Sequence, residues 1–161
     1  MPMREQMDSR DRLIIAELQK DGRLTNQELA ERVNLSASPC LRRLKNLEEQ
    51  KMITGYTAIV DEKAYGLGVT AFVRIRLISH SREIVNGFEK AIGLLDEVME
   101  CYLMTGSDDY LLKILVEELS SYEGFVRKKL HSVPGIASLD TSFAYGMVKR
   151  NLTFPNIHKN R

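Results

Sequence analysis

Apolar residues recur at helical spacing in the first part of the chain. Ile14 and Leu18 lie one turn apart between Asp8 and Lys20, and charged residues separate them. Asp8 is a good N-cap residue, and Gly22 follows the last apolar position in a turn-forming Asp-Gly pair. The pattern predicts a first helix over residues 8–20.

Two further helix starts follow. Thr25 with Glu28 forms the capping-box pattern of a hydroxyl and, three residues later, a carboxylate. Asn34 tolerates the left-handed conformation that ends such a helix. Ser36 is then placed to cap a third helix that runs to about residue 50, with Pro39 in its first turn, where a missing N–H costs least.

The rest of the chain predicts mostly strands. Residues 53–60 are rich in β-branched and aromatic types and predict a strand, and 61–68 have the composition of a linker. Beyond them, the pattern predicts strands over 69–78, 98–105, 110–117 and 136–149, helices over 82–95 and 119–130, and a turn over 106–109. This βαββαβ order is the ferredoxin-like split βαβ arrangement.

The expected fold class is therefore α+β, with an N-terminal three-helix, winged helix-turn-helix domain and a C-terminal ferredoxin-like domain. The predicted organisation is a helix-turn-helix domain over 1–52, a strand and linker over 53–68, a ferredoxin-like domain over 69–150 and a tail over 151–161.

Composition narrows the function classes. The net charge is only +1, so any nucleic-acid binding must rest on a local cluster of charge. Cys40 and Cys101 are far apart and outside any metal-ligand spacing, so we expect both to be small buried residues in a reducing cytosol. There is neither a membrane-length apolar run nor an apolar stretch near the N-terminus that would act as a secretion signal, so we expect a cytoplasmic protein with no membrane partner.

The third helix carries the basic cluster. Arg42, Arg43 and Lys45 lie off the apolar stripe, and no acidic residue occurs between Ser36 and Leu47. A cationic outer face of this kind fits the major groove of DNA. The small residues of the first turn, Ser36, Ala37, Ser38 and Pro39, let the helix end approach bases and phosphates.

Two alternatives remain open for this cluster. It is also compatible with an ordinary solvated helix face. One of the two arginines is also placed to pair with an acid such as Glu28 or Glu31, which would hold the helices together instead of contacting DNA.

The motifs together resemble the Lrp/AsnC family of leucine-responsive and feast/famine regulators. The resemblance begins at the Asp-Gly-Arg turn of residues 21–23 and continues through Glu-Leu-Ala and Leu-Ser-x-Ser-Pro to Arg-Arg and Ile-x-x-Tyr. In the second half, residues 105–112, 133–136 and 141–144 are similar to the family's Gly-x-x-Asp-Tyr loop and last strand. The resemblance covers residues 8 to 150.

The resemblance implies a DNA-binding transcriptional regulator that is not an enzyme. It implies a homodimer that binds double-stranded DNA at a pseudo-palindromic promoter site and assembles further, commonly to octamers. It also implies an amino acid or related small metabolite as the effector, bound between dimers, with no other cofactor. The residues carried over to DNA binding are Ser36, Ser38, Pro39, Arg42, Arg43 and Lys45, and those carried over to effector binding are Leu103, Met104, Gly106, Ser107, Asp108, Asp109, Tyr110 and Ser142.

The chemistry of the loop is compatible with an amino acid. Gly106 permits a tight turn whose N–H groups face a carboxylate, and Asp109 is a hydrogen-bond acceptor for an ammonium group. The alternative is a plain hairpin turn in which Tyr110 only packs.

The sequence offers little for catalysis or metal binding. His80, His131 and His158 are scattered and show no nucleophile–base arrangement, and no zinc spacing or phosphate loop occurs. A rival to the regulator is a metabolite-binding module with a degenerate DNA domain, but Ser36, Ser38 and both arginines are present. We therefore predict neither catalytic nor metal-binding residues.

Overall fold

The computed structural model describes residues 7–155, and His158 lies outside this range. The helices are α1 (Ser9–Lys20), α2 (Asn26–Arg32), α3 (Ala37–Glu49), α4 (Arg82–Ile92) and α5 (Leu119–Lys128), and the strands are β1 (Val69–Leu77), β2 (Val98–Leu103), β3 (Tyr110–Val116) and β4 (Ile136–Phe143). The chain divides into two compact units, one of residues 7–59 with 148–155 and one of residues 60–147.

The three helices of the first unit begin where their capping residues predict. Asp8 caps α1 and Thr25 caps α2, each through a complete capping box. Asn34 has a φ of 53°, which turns the chain between α2 and α3. Ile14, Leu29, Cys40 and Leu47 are buried together, so the apolar stripe of each helix faces a shared core.

The second unit confirms the predicted βαββαβ order. Its four strands form one antiparallel sheet in the order β2-β3-β1-β4, which places the last strand beside the first. The core lies on one side of the sheet, where the inward residues of β1 and β3 pack against α4 and α5. On the other side, Arg74, Arg76 and Tyr102 remain exposed.

The strand predicted over 53–60 is not present in the structure. Tyr56, Ile59 and Val60 are exposed, and no neighbouring strand pairs with the segment. Because β-branched and aromatic residues favour a strand only where a partner supplies hydrogen bonds and packing, their presence alone was misleading. Within the described part of the chain, the three-helix domain therefore shows no paired strand as a wing.

The last strand is shorter than the predicted range of 136–149. It ends at Phe143, and only Ala144 adds one more hydrogen bond, to the carbonyl of Thr70. Its partner β1 begins at Val69, so the following residues have no strand to pair with.

Two glycines provide a test of this packing. Gly135 has a φ of +83°, and a Cβ added there would lie 2.6 Å from Cγ2 of Ile84. Gly124, inside α5, would place its Cβ in open space. We expect Gly135→Ala to destabilise the protein by about 2–4 kcal/mol through strain and overpacking. Gly124→Ala should instead stabilise it by about 0.5–1 kcal/mol. Urea unfolding of both variants measures the difference, and equal effects would contradict the described packing.

Candidate functional site

One face of α3 is buried and the other is open to solvent. Cys40 and Leu47 lie in the core of the first unit. On the opposite face, the exposed residues are Ser36, Ser38, Arg42 and Lys45, while Pro39 is half-buried. Neither Arg42 nor Lys45 has a hydrogen-bond or ion-pair partner within residues 7–155. The two cations are therefore available to an external anion.

Arg43 is engaged differently. Its Nη1 donates to Oδ2 of Asp8 at 2.7 Å and to Oδ1 of Asp11 at 2.9 Å, which ties α3 to the start of α1. The expectation that one arginine pairs with an acid is confirmed, but the suggested partners Glu28 and Glu31 were wrong.

The suggested partners were wrong for a local reason. Glu28 accepts from the backbone N–H of Thr25 at 2.8 Å within the capping box of α2, so its carboxylate is already engaged. Glu31 is an exposed α2 residue whose neighbour is Gln27, 3.5 Å away.

The Asp8 carboxylate is stabilised in its charged form. The backbone N–H of Asp11 lowers the pKa of Asp8 most. Burial opposes this effect, but hydrogen bonding and charge from Arg43 lower the pKa further, so that it lies below its ordinary value. Two kinds of contact, a helix cap and an interhelical ion pair, thus depend on the same carboxylate.

Two more polar contacts join the helices of this unit. Nη1 of Arg10 in α1 donates to the carbonyl of Val33, at the end of α2, at 2.7 Å. Nδ2 of Asn26, at the start of α2, donates to the carbonyl of Ala37, at the start of α3, at 2.9 Å. With Arg43, these contacts join α1 to α2, α2 to α3 and α3 to α1. Sequence reasoning missed Arg10 and Asn26, because nothing in their local pattern marks an interhelical bond.

The N-terminus of α3 is open. Ser36 occupies the N-cap position, as predicted, but its side chain makes no capping hydrogen bond. The N–H groups of Ala37 and Ser38 take no partner within the described chain, and Pro39 has no N–H. A helix end with free N–H groups and nearby cations is a suitable site for a phosphate oxygen.

In the second unit, the loop between β2 and β3 is held against the end of β1. Gly106 has a φ of +113°, which confirms the tight turn. The N–H of Asp109 donates to the carbonyl of Ile75 at 2.8 Å, and Nε of Arg76 donates to the carbonyl of Ser107 at 3.1 Å. The loop backbone after Gly106 is thus held by two neighbouring residues of β1.

Asp109 is occupied within the protein. Its Oδ2 accepts the N–H of Leu77 at 2.7 Å, and its Oδ1 lies 2.7 Å from Nε2 of His80. The Leu77 N–H is the largest cause of a lowered pKa of Asp109, followed by the hydrogen bond with His80. From the sequence we expected the Asp109 carboxylate to bind the ammonium group of a ligand. In the structure, this carboxylate instead bonds to groups of the protein itself.

Tyr110 faces the core. Its hydroxyl donates to Oε1 of Glu89 at 2.7 Å, and its ring centroid lies 4.6 Å from that of Phe88. Burial raises the pKa of Tyr110, and the hydrogen bond to Glu89 raises it further. The side chain therefore anchors the start of β3 to α4 and does not point towards the loop surface.

The remaining predicted effector residues do not all come together within one chain. Leu103 and Met104 are exposed beside the turn, and Asp108 is half-buried with Ser107 Oγ at 3.2 Å from its Oδ2. Ser142, however, pairs with Phe72, five residues along β1 from Leu77, which is about 16 Å at the usual rise of a strand. Its Oγ accepts from Arg74 at 3.3 Å.

A groove that sequence reasoning did not anticipate lies between α5 and β4. It measures about 820 Å³, and its lining residues are Leu119, Ser120, Tyr122, Glu123, Val126, Arg127, His131, Leu139 and Thr141. Thr141, next to Ser142, faces this groove side and lies within hydrogen-bond distance of the Tyr122 hydroxyl at 2.5 Å. Because neighbouring residues of a strand point to opposite faces of the sheet, the sequence could have placed Thr141 and Ser142 on different faces.

Comparison with known proteins places these features in a family. The model of the Lrp/AsnC ligand binding domain matches residues 70–154, more than half of the chain, and a winged helix-turn-helix DNA-binding model matches residues 7–54. The chain belongs to the Lrp/AsnC family. It is a DNA-binding transcriptional regulator with a ligand-binding domain.

Individual relatives agree over nearly the whole chain. Transcriptional regulator AzlB of Bacillus subtilis is 40% identical over 149 residues, 92% of this chain and 95% of the relative. The leucine-responsive regulatory protein of Escherichia coli K12 is 39% identical over 145 residues, 90% of this chain and 88% of the relative. The crystal structure of regulator NMB0573 of Neisseria meningitidis in complex with L-Met superimposes with a TM-score of 0.87 at 36% identity, covering 92% of this chain and 96% of that chain.

Within residues 7–155, no helix is both long and apolar enough to cross a bilayer. Over the same range, no cluster of three or more histidine, cysteine or acidic side chains is arranged to hold a metal ion. Both cysteines are free thiols. Cys40 is buried as expected, but the same expectation was wrong for Cys101, which is exposed because β2 lies at the edge of the sheet.

The ion pair of Arg43 predicts a pH-dependent loss of stability. We expect Arg43→Ala to lower the free energy of unfolding at pH 7 by about 1 kcal/mol, because water screens these partly exposed groups. Since the folded pKa of Asp8 is lowered, its contribution is present above the unfolded value near 4 and lost as pH falls through the folded value.

The variant should therefore lose less stability than the parent between about pH 5 and pH 2. Urea titrations at both pH values measure this, with Arg42→Ala as the matched control that keeps the ion pair. An acid loss in Arg43→Ala as large as in the parent would show that Arg43 does not stabilise the Asp8 carboxylate.

Proposed function

We propose that α3 is the recognition helix of this regulator and that its exposed face enters the major groove. The observation that carries this proposal is the division of its cations: Arg43 is paired within the domain, whereas Arg42 and Lys45 have no partner in the described chain. Arg42 and Lys45 supply base or phosphate contacts, and Ser36 and Ser38 bring the open helix end to the backbone. Pro39 shapes this end, and Arg43 positions the helix.

The protein acts on DNA as a homodimer in this proposal. The helices of the second unit cover one face of its sheet, while Arg74, Arg76 and Tyr102 on the other face are exposed in the single chain. A second copy seated on this face would bring two α3 helices to one duplex. Their separation would be about 34 Å or a multiple, which requires a pseudo-palindromic site. Further assembly of such dimers towards octamers follows the family pattern.

Removing one free cation tests the DNA-binding proposal. We expect Arg42→Ala to weaken binding to a duplex selected from a randomised pool by about tenfold or more, the effect of losing one charged contact. If Arg42 contacts a phosphate, the slope of the logarithm of the DNA-binding constant against the logarithm of the salt concentration should become less negative by about one in the variant.

The matched control is Arg82→Ala, which removes the same charge from an exposed position at the start of α4. Fluorescence anisotropy at several salt concentrations measures both variants. If Arg42→Ala binds as the parent does, or if both variants weaken equally, α3 is not the DNA-contacting element.

An amino-acid effector is the proposed ligand of the second unit. The related NMB0573 was solved with L-Met, and this chain carries the loop over residues 104–109 in a fixed conformation. The N–H groups of Gly106 and Ser107 suit a carboxylate, and Asp108, which has no cationic partner within residues 7–155, suits an ammonium group. Leu103 and Met104 provide apolar surface.

Asp109 and Tyr110 support this site indirectly. Asp109, with Arg76 and His80, positions the loop, and Tyr110 anchors the strand that follows it. Ser142 lies too far away in the same chain to join the loop, so its contribution requires a neighbouring copy. The groove between α5 and β4 is a second candidate for the ligand's apolar part, because its size is typical of small-molecule sites.

Thermal unfolding in the presence of single amino acids tests the effector proposal. We expect millimolar L-methionine, or another amino acid from a full panel, to raise the Tm, because it binds only the folded state. Asp108→Ala should abolish the rise with little change in the Tm of the free protein. Asp109→Ala should abolish it while also lowering that Tm.

Thr141→Val separates the two candidate locations, since it alters the groove and leaves the loop intact. A ligand response that survives Asp108→Ala but not Thr141→Val moves the site to the groove. No response of the parent to any amino acid would contradict an amino-acid effector.

A further inference from the structure

Asn26 lies where the two helices of the helix-turn-helix begin. It is the first residue of α2, and its Nδ2 donates to the carbonyl of Ala37, the first residue of α3, at 2.9 Å. The bond therefore spans the turn and joins the starts of both helices. Within the described residues, no other side-chain hydrogen bond to the first turn of α3 is present.

The Asn26 amide is not needed by its own helix. Thr25 and Glu28 already form a complete capping box there. The Oδ1 of Asn26 is buried and has no partner in the described chain, which is an unfavourable arrangement for an amide oxygen. The amide is thus buried at a cost, and the contact that it makes in return is the one to α3.

The bond from Asn26 adds a polar contact to the first turn of α3. Cys40, at the end of this turn, is buried in the core, but Ser36 gives the turn no side-chain cap. Arg43, which binds α1, lies at the middle of the helix, and Leu47 holds its later part in the core. The helix has 13 residues and is therefore about 20 Å long. A small tilt of its N-terminal end about the buried Cys40 would displace Ser36, Ser38 and Arg42 from the duplex.

Such a displacement affects the two kinds of DNA contact unequally. Hydrogen bonds to base edges need side chains placed within about 0.5 Å. Attraction to phosphates acts over a Debye length of about 8–10 Å and tolerates a shift of this size. A misplaced α3 would therefore lose discrimination between sequences before it loses general affinity for DNA.

We propose that Asn26 is a positioning residue for DNA sequence discrimination, acting through its hydrogen bond to the Ala37 carbonyl. This inference rests on the proposed role of α3 as the recognition helix. It assigns the specificity of the protein partly to a residue on α2 that need not touch DNA.

Asn26→Asp tests the inference in the full-length protein. The substitution keeps the shape of the side chain and replaces the donor with a carboxylate, which cannot bond the Ala37 carbonyl. A negative charge in the first turn of α2 favours that helix, so the fold should be retained. Gln27→Glu is the matched control, because it adds the same charge at the next, exposed position of α2 and leaves Asn26 intact.

The measurement is the ratio of the Kd for a shuffled duplex to the Kd for a duplex selected by the parent protein from a randomised pool. We expect Asn26→Asp to lower this ratio about tenfold, the equivalent of one lost base contact, and Gln27→Glu to change it less than about twofold. Asn26→Asp and Gln27→Glu should weaken binding to the shuffled duplex to a similar extent, because each adds one negative charge that repels the phosphates. Asn26→Ala, which adds no charge, should lower the ratio as Asn26→Asp does.

The outcomes separate the inference from the function on which it rests. If Asn26→Asp and Gln27→Glu have the same ratio, or Asn26→Ala keeps the ratio of the parent, Asn26 does not position α3. If the parent itself does not discriminate between the duplexes, or Arg42→Ala binds them as the parent does, the proposed role of α3 fails instead. Should Asn26→Asp not fold, Asn26→Ala against the parent decides the question.

Discussion

The first unit depends on the contact of one guanidinium group with two carboxylates. Arg43 in α3 binds Asp8 and Asp11 at the start of α1, where Asp8 also caps that helix. The pair ties α3 to the start of α1, and it removes one cation from those that an external anion could bind. What remains on the outer face is Arg42, Lys45 and the open first turn. The proposed DNA-binding surface is therefore defined by the charges that the fold itself leaves unpaired.

The same principle applies to the loop of the second unit. Asp109 has the residue type expected of a ligand's partner, but β1 and His80 occupy its carboxylate oxygens. A buried or internally bonded carboxylate keeps its neighbours in place and has little capacity left for an external ammonium group. The adjacent Asp108 is less engaged, so the proposed ligand contact moves by one residue. The conformation of the loop then depends on Asp109 and Arg76, and its chemistry on the groups beside them.

Much of the fold follows from local sequence signals. The capping boxes at Asp8 and Thr25 and the left-handed Asn34 depend on neighbouring residues, and the order of strands and helices depends on periodicity, so these features were predictable. The prediction of a strand over 53–60 was wrong because a strand needs a neighbouring strand to pair with, and the local sequence does not specify one. The predicted end of β4 was wrong for the same reason, because β4 can pair only as far as the residue at which β1 begins.

The candidate sites show the same limit. The partner of Arg43 lies more than thirty residues away in sequence, as does the link between Asp109 and Leu77. Tyr110 belongs to a recognisable motif, but its burial follows from the face of β3 that packs on α4. The hydrogen bond from Asn26 to the Ala37 carbonyl has no local sequence signal at all. Residue types at a site were thus predictable, whereas the side chains left free for a ligand depended on long-range packing.

The most direct test of the account is methylation interference on a DNA duplex selected by the protein. Methylation at guanine N7 blocks the major groove, and methylation at adenine N3 blocks the minor groove. If α3 of each subunit enters the major groove, N7 methylation should abolish binding at two clusters about one helical turn, or a multiple, apart. Interference confined to adenine N3, or none at any base, would contradict major-groove recognition by α3.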